Sequence, residues 1–94
     1  MPQYTDGYFL KQLGASIVHY RQRMGISQAE LAARVGMEKS NLSVIENGRS
    51  NPQLLTLVKI AGALNTDLSD LLRFEFDYSA FMEAPSEYKA RKHG

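Results

Sequence analysis

The residues of this 94-residue chain that could do chemistry cluster between Ser27 and Arg49. Lys39, Ser40, Ser43, Val44 and Asn47 recur at steps of three and four, which aligns them along one face of a helix. That face offers an ammonium, two hydroxyls, a branched apolar group and an amide. Such a set recognises a surface; it does not break bonds. The other chemistries are thin. His19 and His93 are too few and too isolated for a metal site, and there is no Cys to supply thiolates. Asp67 and Asp70 read as charges at a helix start, not as a catalytic pair. No glycine-rich phosphate loop and no nucleophile–base set is present, so neither catalysis nor a cofactor is expected.

Charge is distributed unevenly behind a formal total of +1. Residues 8–65 carry seven Lys and Arg against Glu30, Glu38 and Glu46, a balance of +4. Residues 66–88 carry Arg73 against six carboxylates, a balance of −5, and Lys89, Arg91 and Lys92 make a basic tip. With 44% hydrophobic and 22% charged residues the composition is that of an ordinary folded domain. No run approaches the roughly 18 apolar residues of a membrane span. The first residues lack the basic-then-apolar order of an export signal. A cytoplasmic protein without membrane contact is expected.

Stepping of apolar residues gives the elements that must hold the polar face. Leu10, Leu13, Ile17, Tyr20 and Met24 predict a helix ending at Gly25. Ser27 and Glu30 form a capping-box pattern, in which each side chain satisfies the other residue's amide. They open a second helix, from about Gln28 to Val35, that Gly36 ends. A third helix runs from about Lys39 to Asn47 with Leu42 and Ile45 inward and Gly48 as its stop. Asn51 is a candidate cap and Pro52 a candidate first-turn residue for a fourth helix. That helix carries Leu54, Leu57, Val58, Ala61 and Leu64 inward and stops at Asn65. Asp67 caps a short fifth helix over 68–73. Phe74, Phe76 and Tyr78 alternate like a strand, whereas Phe74, Tyr78, Phe81 and Met82 fit helical spacing. These large groups imply packing against something, such as a second copy of the chain. Pro85 breaks either structure, and a mobile tip is expected at 87–94.

Residues 28–45 have a specific steric pattern. Ala32 is small where two steeply crossing helices touch, Gly36 tolerates a left-handed turn, and Met37 fills the angle. Leu31, Val35, Leu42 and Ile45 cover the shared face. With Leu13-Gly14, Ile17 and Arg21 before it, and Ile45-Glu46-Asn47-Gly48-Arg49, Pro52, Leu57, Ile60-Ala61 and Leu64 after it, the chain resembles the phage-repressor (Cro-like, XRE-type) helix-turn-helix proteins. The resemblance covers about residues 10–72. It implies an all-α, lambda-repressor-like bundle of five helices at 8–73, with 74–94 as an extension and a possible dimerisation segment.

The resemblance further implies a sequence-specific regulator, most simply a repressor, that binds a palindromic operator on double-stranded DNA as a homodimer. Its third helix would enter the major groove. Glu38, Lys39, Ser40, Ser43 and Val44 would then meet bases, Lys39 donating to guanine and Val44 touching a thymine methyl. Ser27, Gln28, Asn41, Asn47 and Arg49 would face phosphates. Glu38 departs from the Ser or Thr common at that cap. Arg21 and Glu46 match a structural ion pair between the first and third helices. Three other roles fit the same fold: an antitoxin whose residues 74–88 bind a toxin, a restriction–modification controller, or an interaction module that has lost DNA binding. RNA polymerase is a further candidate partner.

Overall fold

The computed structural model describes residues 4–82. Within them lie α1 (Asp6–Arg23), α2 (Gln28–Val35), α3 (Lys39–Glu46), α4 (Leu54–Ala63) and α5 (Leu68–Leu71). A single helical turn, α6 (Ser79–Met82), follows, and no strand occurs among the described residues. The expected all-α architecture is therefore observed. The expected break at Pro85 and the basic tip lie outside the described residues.

The caps explain most boundaries. Thr5 accepts the Tyr8 amide through its hydroxyl and starts α1 well before the periodic stretch that begins at Leu10. Ser27 Oγ accepts the Glu30 amide at 3.0 Å. The reciprocal half of the expected box is replaced: the Glu30 carboxylate takes a 2.6 Å bond from Arg34 one turn on. Asp67 caps α5 by accepting the Asp70 amide, and α5 ends at Leu71, two residues short of expectation. The Ser69 hydroxyl and the Asp70 amide, in that order, hold the Asp67 carboxyl below its ordinary range.

Expectation fails at the start of α4. The N-cap is Gln53, not Asn51, and Pro52 precedes the helix instead of opening it. A fixed φ suits the extended approach as well as a first turn, so Pro52 alone does not fix the boundary. The inner face of α4 also shifts. Leu57, Ile60, Ala61 and Leu64 are buried, while Leu54 and Val58 are 61% and 46% exposed, as is the neighbouring Leu55 at 70%.

One core unites the five main helices. Leu13 and Ile17 of α1 meet Leu31 and Ala32 of α2, Leu42 and Ile45 of α3, the inner face of α4, and Leu71. α2 packs on both α3 and α4, and α1 on both α3 and α5. Burying each large aliphatic side chain is worth about 1.5–3 kcal/mol, which offsets the cost of ordering helices too short to persist alone. Val35 and Met37 pack at its margin, Met37 in the turn where it was expected. Gly36 takes φ 71°, closing α2 so that α3 can turn away.

Phe74 and Phe76 form neither a strand nor a continued helix. They return to α1, where Phe9 meets both rings edge-on, each at 5.0 Å between centroids. Tyr78, Phe81 and Met82 stay exposed.

Candidate nucleic-acid interface

α3 has one buried and one open face because its sequence alternates in threes and fours. Leu42 and Ile45 enter the core, while Lys39, Ser40, Asn41, Val44 and Asn47 are exposed and Ser43 is half-buried. Glu38 has the extended backbone of an N-cap residue, yet its side chain makes no cap bond. A carboxylate one methylene longer than Asp reaches the helix amides poorly. Glu38 stays exposed at the end of α3 where helix partial charge is positive.

The orientation of α3 is set by a partly buried polar cluster. Arg21 of α1 donates through Nε to Glu46 Oε2 at 2.9 Å and through Nη2 to Glu46 Oε1 at 3.0 Å. Gln28 Nε2, in the first turn of α2, gives the carboxylate its third bond, to Oε1 at 2.9 Å. Arg21 Nη1 also donates to the Ile26 carbonyl in the turn between α1 and α2. The Glu46 side chain is 4% exposed and that of Arg21 15%. One carboxylate at the end of α3 thus ties three helices by charge-assisted bonds.

Two glycines allow the close contact. A Cβ on Gly14 would lie 2.3 Å from the Glu46 carbonyl oxygen, so only glycine lets α1 touch the end of α3. Gly48 has φ 72°, and a Cβ there would meet the Lys11 backbone at 2.7 Å. Arg49 follows directly and is exposed.

Pairing also sorts the charges. Within 8–65, Arg21 is neutralised by Glu46 and Arg34 by Glu30. Lys11, Arg23, Lys39, Arg49 and Lys59 have no ion pair among the described residues, and Glu38 is the one carboxylate there in the same condition. Arg23 lies 5.9 Å from the centre of the Tyr20 ring, a cation–π contact. The side chains of Lys39, Ser40, Asn41 and Arg49 have no hydrogen bond or ion pair within the described residues and are available to a ligand.

The residues singled out from sequence therefore divide. Glu38, Lys39, Ser40, Asn41, Val44 and Arg49 share an open region along and just beyond α3. Ser43 and Asn47 are coupled: Asn47 Nδ2 donates to the Ser43 carbonyl at 2.9 Å and to Ser43 Oγ at 3.3 Å. The Gln28 side chain points its amide at Glu46, not outward. Ser27 is exposed with its hydroxyl oxygen occupied by the cap bond. The role of Gly14 escaped the sequence reading. Its signal was a glycine inside a strong helix, which costs about 1 kcal/mol relative to alanine unless something must come close.

Comparison with known proteins gives a consistent result. The family model described as helix-turn-helix matches residues 17–71. The ImmF control region 10 kDa protein of Bacillus phage phi105 is 44% identical over 61 residues, covering 65% of this chain and 68% of that protein. The structure of the master regulator for biofilm formation SinR in complex with DNA superimposes with a TM-score of 0.60 at 39% identity, covering 64% of this chain and 97% of that one. The restriction–modification controller protein C.AhdI from Aeromonas hydrophila superimposes with a TM-score of 0.64 at 31% identity, covering 66% of this chain and 94% of that one.

Proposed function

The chain belongs to the helix-turn-helix family and is a DNA-binding transcriptional regulator, and from that premise we propose that it acts in the cytoplasm as a homodimer on a palindromic operator, with α3 in the major groove. The observation that carries this is the division of α3 between a buried face and an open one on which the side chains of Lys39, Ser40 and Asn41 have no partner among the described residues. Lys39 donates to guanine O6 or N7, Val44 meets a thymine methyl, and Ser40 and Ser43 adjust to either base edge. Glu38 accepts from a cytosine amino group, the one base-edge contact that rewards a carboxylate.

Phosphates are held by Arg49, Asn41 and the first turn of α2. There the backbone amides of Gln28 and Ala29 precede any intrahelical acceptor, and the helix dipole favours an anion. The Ser27 hydroxyl keeps its proton to donate outward. Asn47 buttresses Ser43, since both its amide hydrogens already have acceptors. The simplest action at a promoter is repression by occlusion.

The dimer forms through α4. Leu54, Leu55 and Val58 make an exposed apolar strip one helical turn long, next to the loop that carries Arg49. To read a palindrome, a two-fold dimer about this strip would have to hold its two α3 helices one DNA turn, about 34 Å, apart. The aromatic segment serves this less well, because Phe74 and Phe76 already have partners in their own chain. A second reading, a restriction–modification controller, is favoured by the likeness that spans 94% of C.AhdI. A methylase gene beside this one would select it.

Selection of bound sites from random DNA tests the reading. The expected result is a palindrome with half-sites one turn apart, relaxed at the contacted positions by Lys39→Ala with Ser40→Ala. Recovery of no preferred sequence would overturn it.

A further inference from the structure

The aromatic segment after α5 builds a second site. Residues 74–78 have no regular structure and lie against the first turns of α1 through Phe74 and Phe76, and α6 follows. Phe76 meets Phe9 edge-on, meets Tyr78 at 4.9 Å between centroids, and lies nearly parallel to Phe81, at 16° and 6.3 Å. Between this arm and α1 is a groove of about 450 Å³ lined by Asp6, Phe9, Asn51, Phe76, Tyr78 and Phe81. Tyr78 and Phe81 remain 54% and 64% exposed, so much of their surface is unused by the fold. Asp6 is the one charged residue in the lining, and its side chain makes no ion pair or hydrogen bond among the described residues. The neighbouring carboxylate of Asp77 is occupied by the Ser79 amide and hydroxyl at 2.9 and 2.6 Å.

We propose that this groove binds a small lipophilic cation, an aromatic or quaternary onium compound. Ring faces attract positive charge through their quadrupole, and the exposed Asp6 carboxylate adds a counter-charge at the edge of the apolar wall. The volume lies within the range of small-molecule sites. A peptide segment fits worse: its N–H and C=O groups would find only Asp6, Asn51 and the Tyr78 hydroxyl as polar partners in the lining. An anion of the same shape would face Asp6 unfavourably. No residue of α3 lines the groove, and the proposal does not rest on the DNA-binding role.

The test is calorimetric titration of the full chain with tetraphenylphosphonium and with its anionic isostere tetraphenylborate. The cation should bind at least about tenfold more tightly than the anion. Asp6→Asn should remove most of that preference, and Phe81→Ala, at an exposed position, should weaken the cation several-fold with an unchanged helical signal. Equal affinity for the two ions, or a cation affinity untouched by Asp6→Asn, would overturn the proposal. So would no heat of binding up to about 1 mM cation. Dissociation of a dimer by Phe81→Ala would assign the groove to a second copy and overturn it equally.

Discussion

Removing the Glu46 carboxylate should destabilise this domain more than its small size suggests. In Glu46→Ala, Arg21 loses two bonds, at 2.9 and 3.0 Å, and Gln28 loses one at 2.9 Å. Summing hydrogen bonds to a charged group at about 1.5–3 kcal/mol each would overstate the loss, since burying the carboxylate had its own desolvation cost. The better guide is the charge left behind. Breaking a buried pair by deleting one partner costs about 3–5 kcal/mol. The Arg21 side chain is 15% exposed, so partial hydration puts the effect at the lower end, about 3 kcal/mol. For a domain of this length that is a midpoint shift of about 12–24 °C, and a large part of a total stability of about 5–15 kcal/mol.

Urea denaturation followed by helical circular dichroism measures it. Arg21→Met combined with Glu46→Leu should recover most of the loss, because the apolar pair leaves no buried charge. A cost below about 1 kcal/mol for Glu46→Ala would refute the reasoning, placing the pair in the class of exposed bridges. A double variant no more stable than the single would refute it as well, since the loss would then come from packing.

Other substitutions separate the roles of neighbouring residues. Glu38→Ser should stabilise the protein by about 1 kcal/mol in the same denaturation experiment, by supplying the cap bond that Glu38 does not make. It should also strengthen binding to random-sequence DNA in a low-salt filter assay, while weakening preference for cytosine at one operator position. Leu55→Glu should yield a folded monomer in sedimentation equilibrium under conditions where the parent chain is dimeric, because it places like charges on the apposed strips. A dimer that survives would move the interface off α4.

Much of the fold was legible because its determinants are local. Gly36 and Asn65 sit where a left-handed residue must end a helix, and both have positive φ. Ser27 and Asp67 sit one residue before their helices and accept the amides expected of caps. Leu31, Ala32, Leu42 and Ile45 are buried as their spacing requires. The start of α1 was hidden because Tyr8 and Phe9 are covered by rings from residues 74 and 76, far along the chain. The orientation of α4 was misjudged for a related reason. Leu54, Leu55, Leu57, Val58, Ile60 and Ala61 are apolar nearly all round, so periodicity could not choose the inner face, and packing on α2 chose it.

The interface shows the same division between local and distant causes. The open residues of α3 follow from its own sequence, since Leu42 and Ile45 fix which face is buried and so which remains. What holds α3 at its angle does not follow from that sequence. It depends on Gly14, whose missing Cβ admits the Glu46 backbone, and on Arg21 and Gln28, which meet Glu46 from two other helices. The Gln28 amide could serve a phosphate or Glu46, and 18 residues of separation concealed the nearer acceptor. Charge followed the same rule. A balance of +4 over residues 8–65 looked diffuse in the sequence, yet ion pairing removes Arg21, Arg34, Glu30 and Glu46 from it. The cations left free include Lys39 and Arg49, which flank the open face of α3. Local charge, not the chain total, governs what approaches that face.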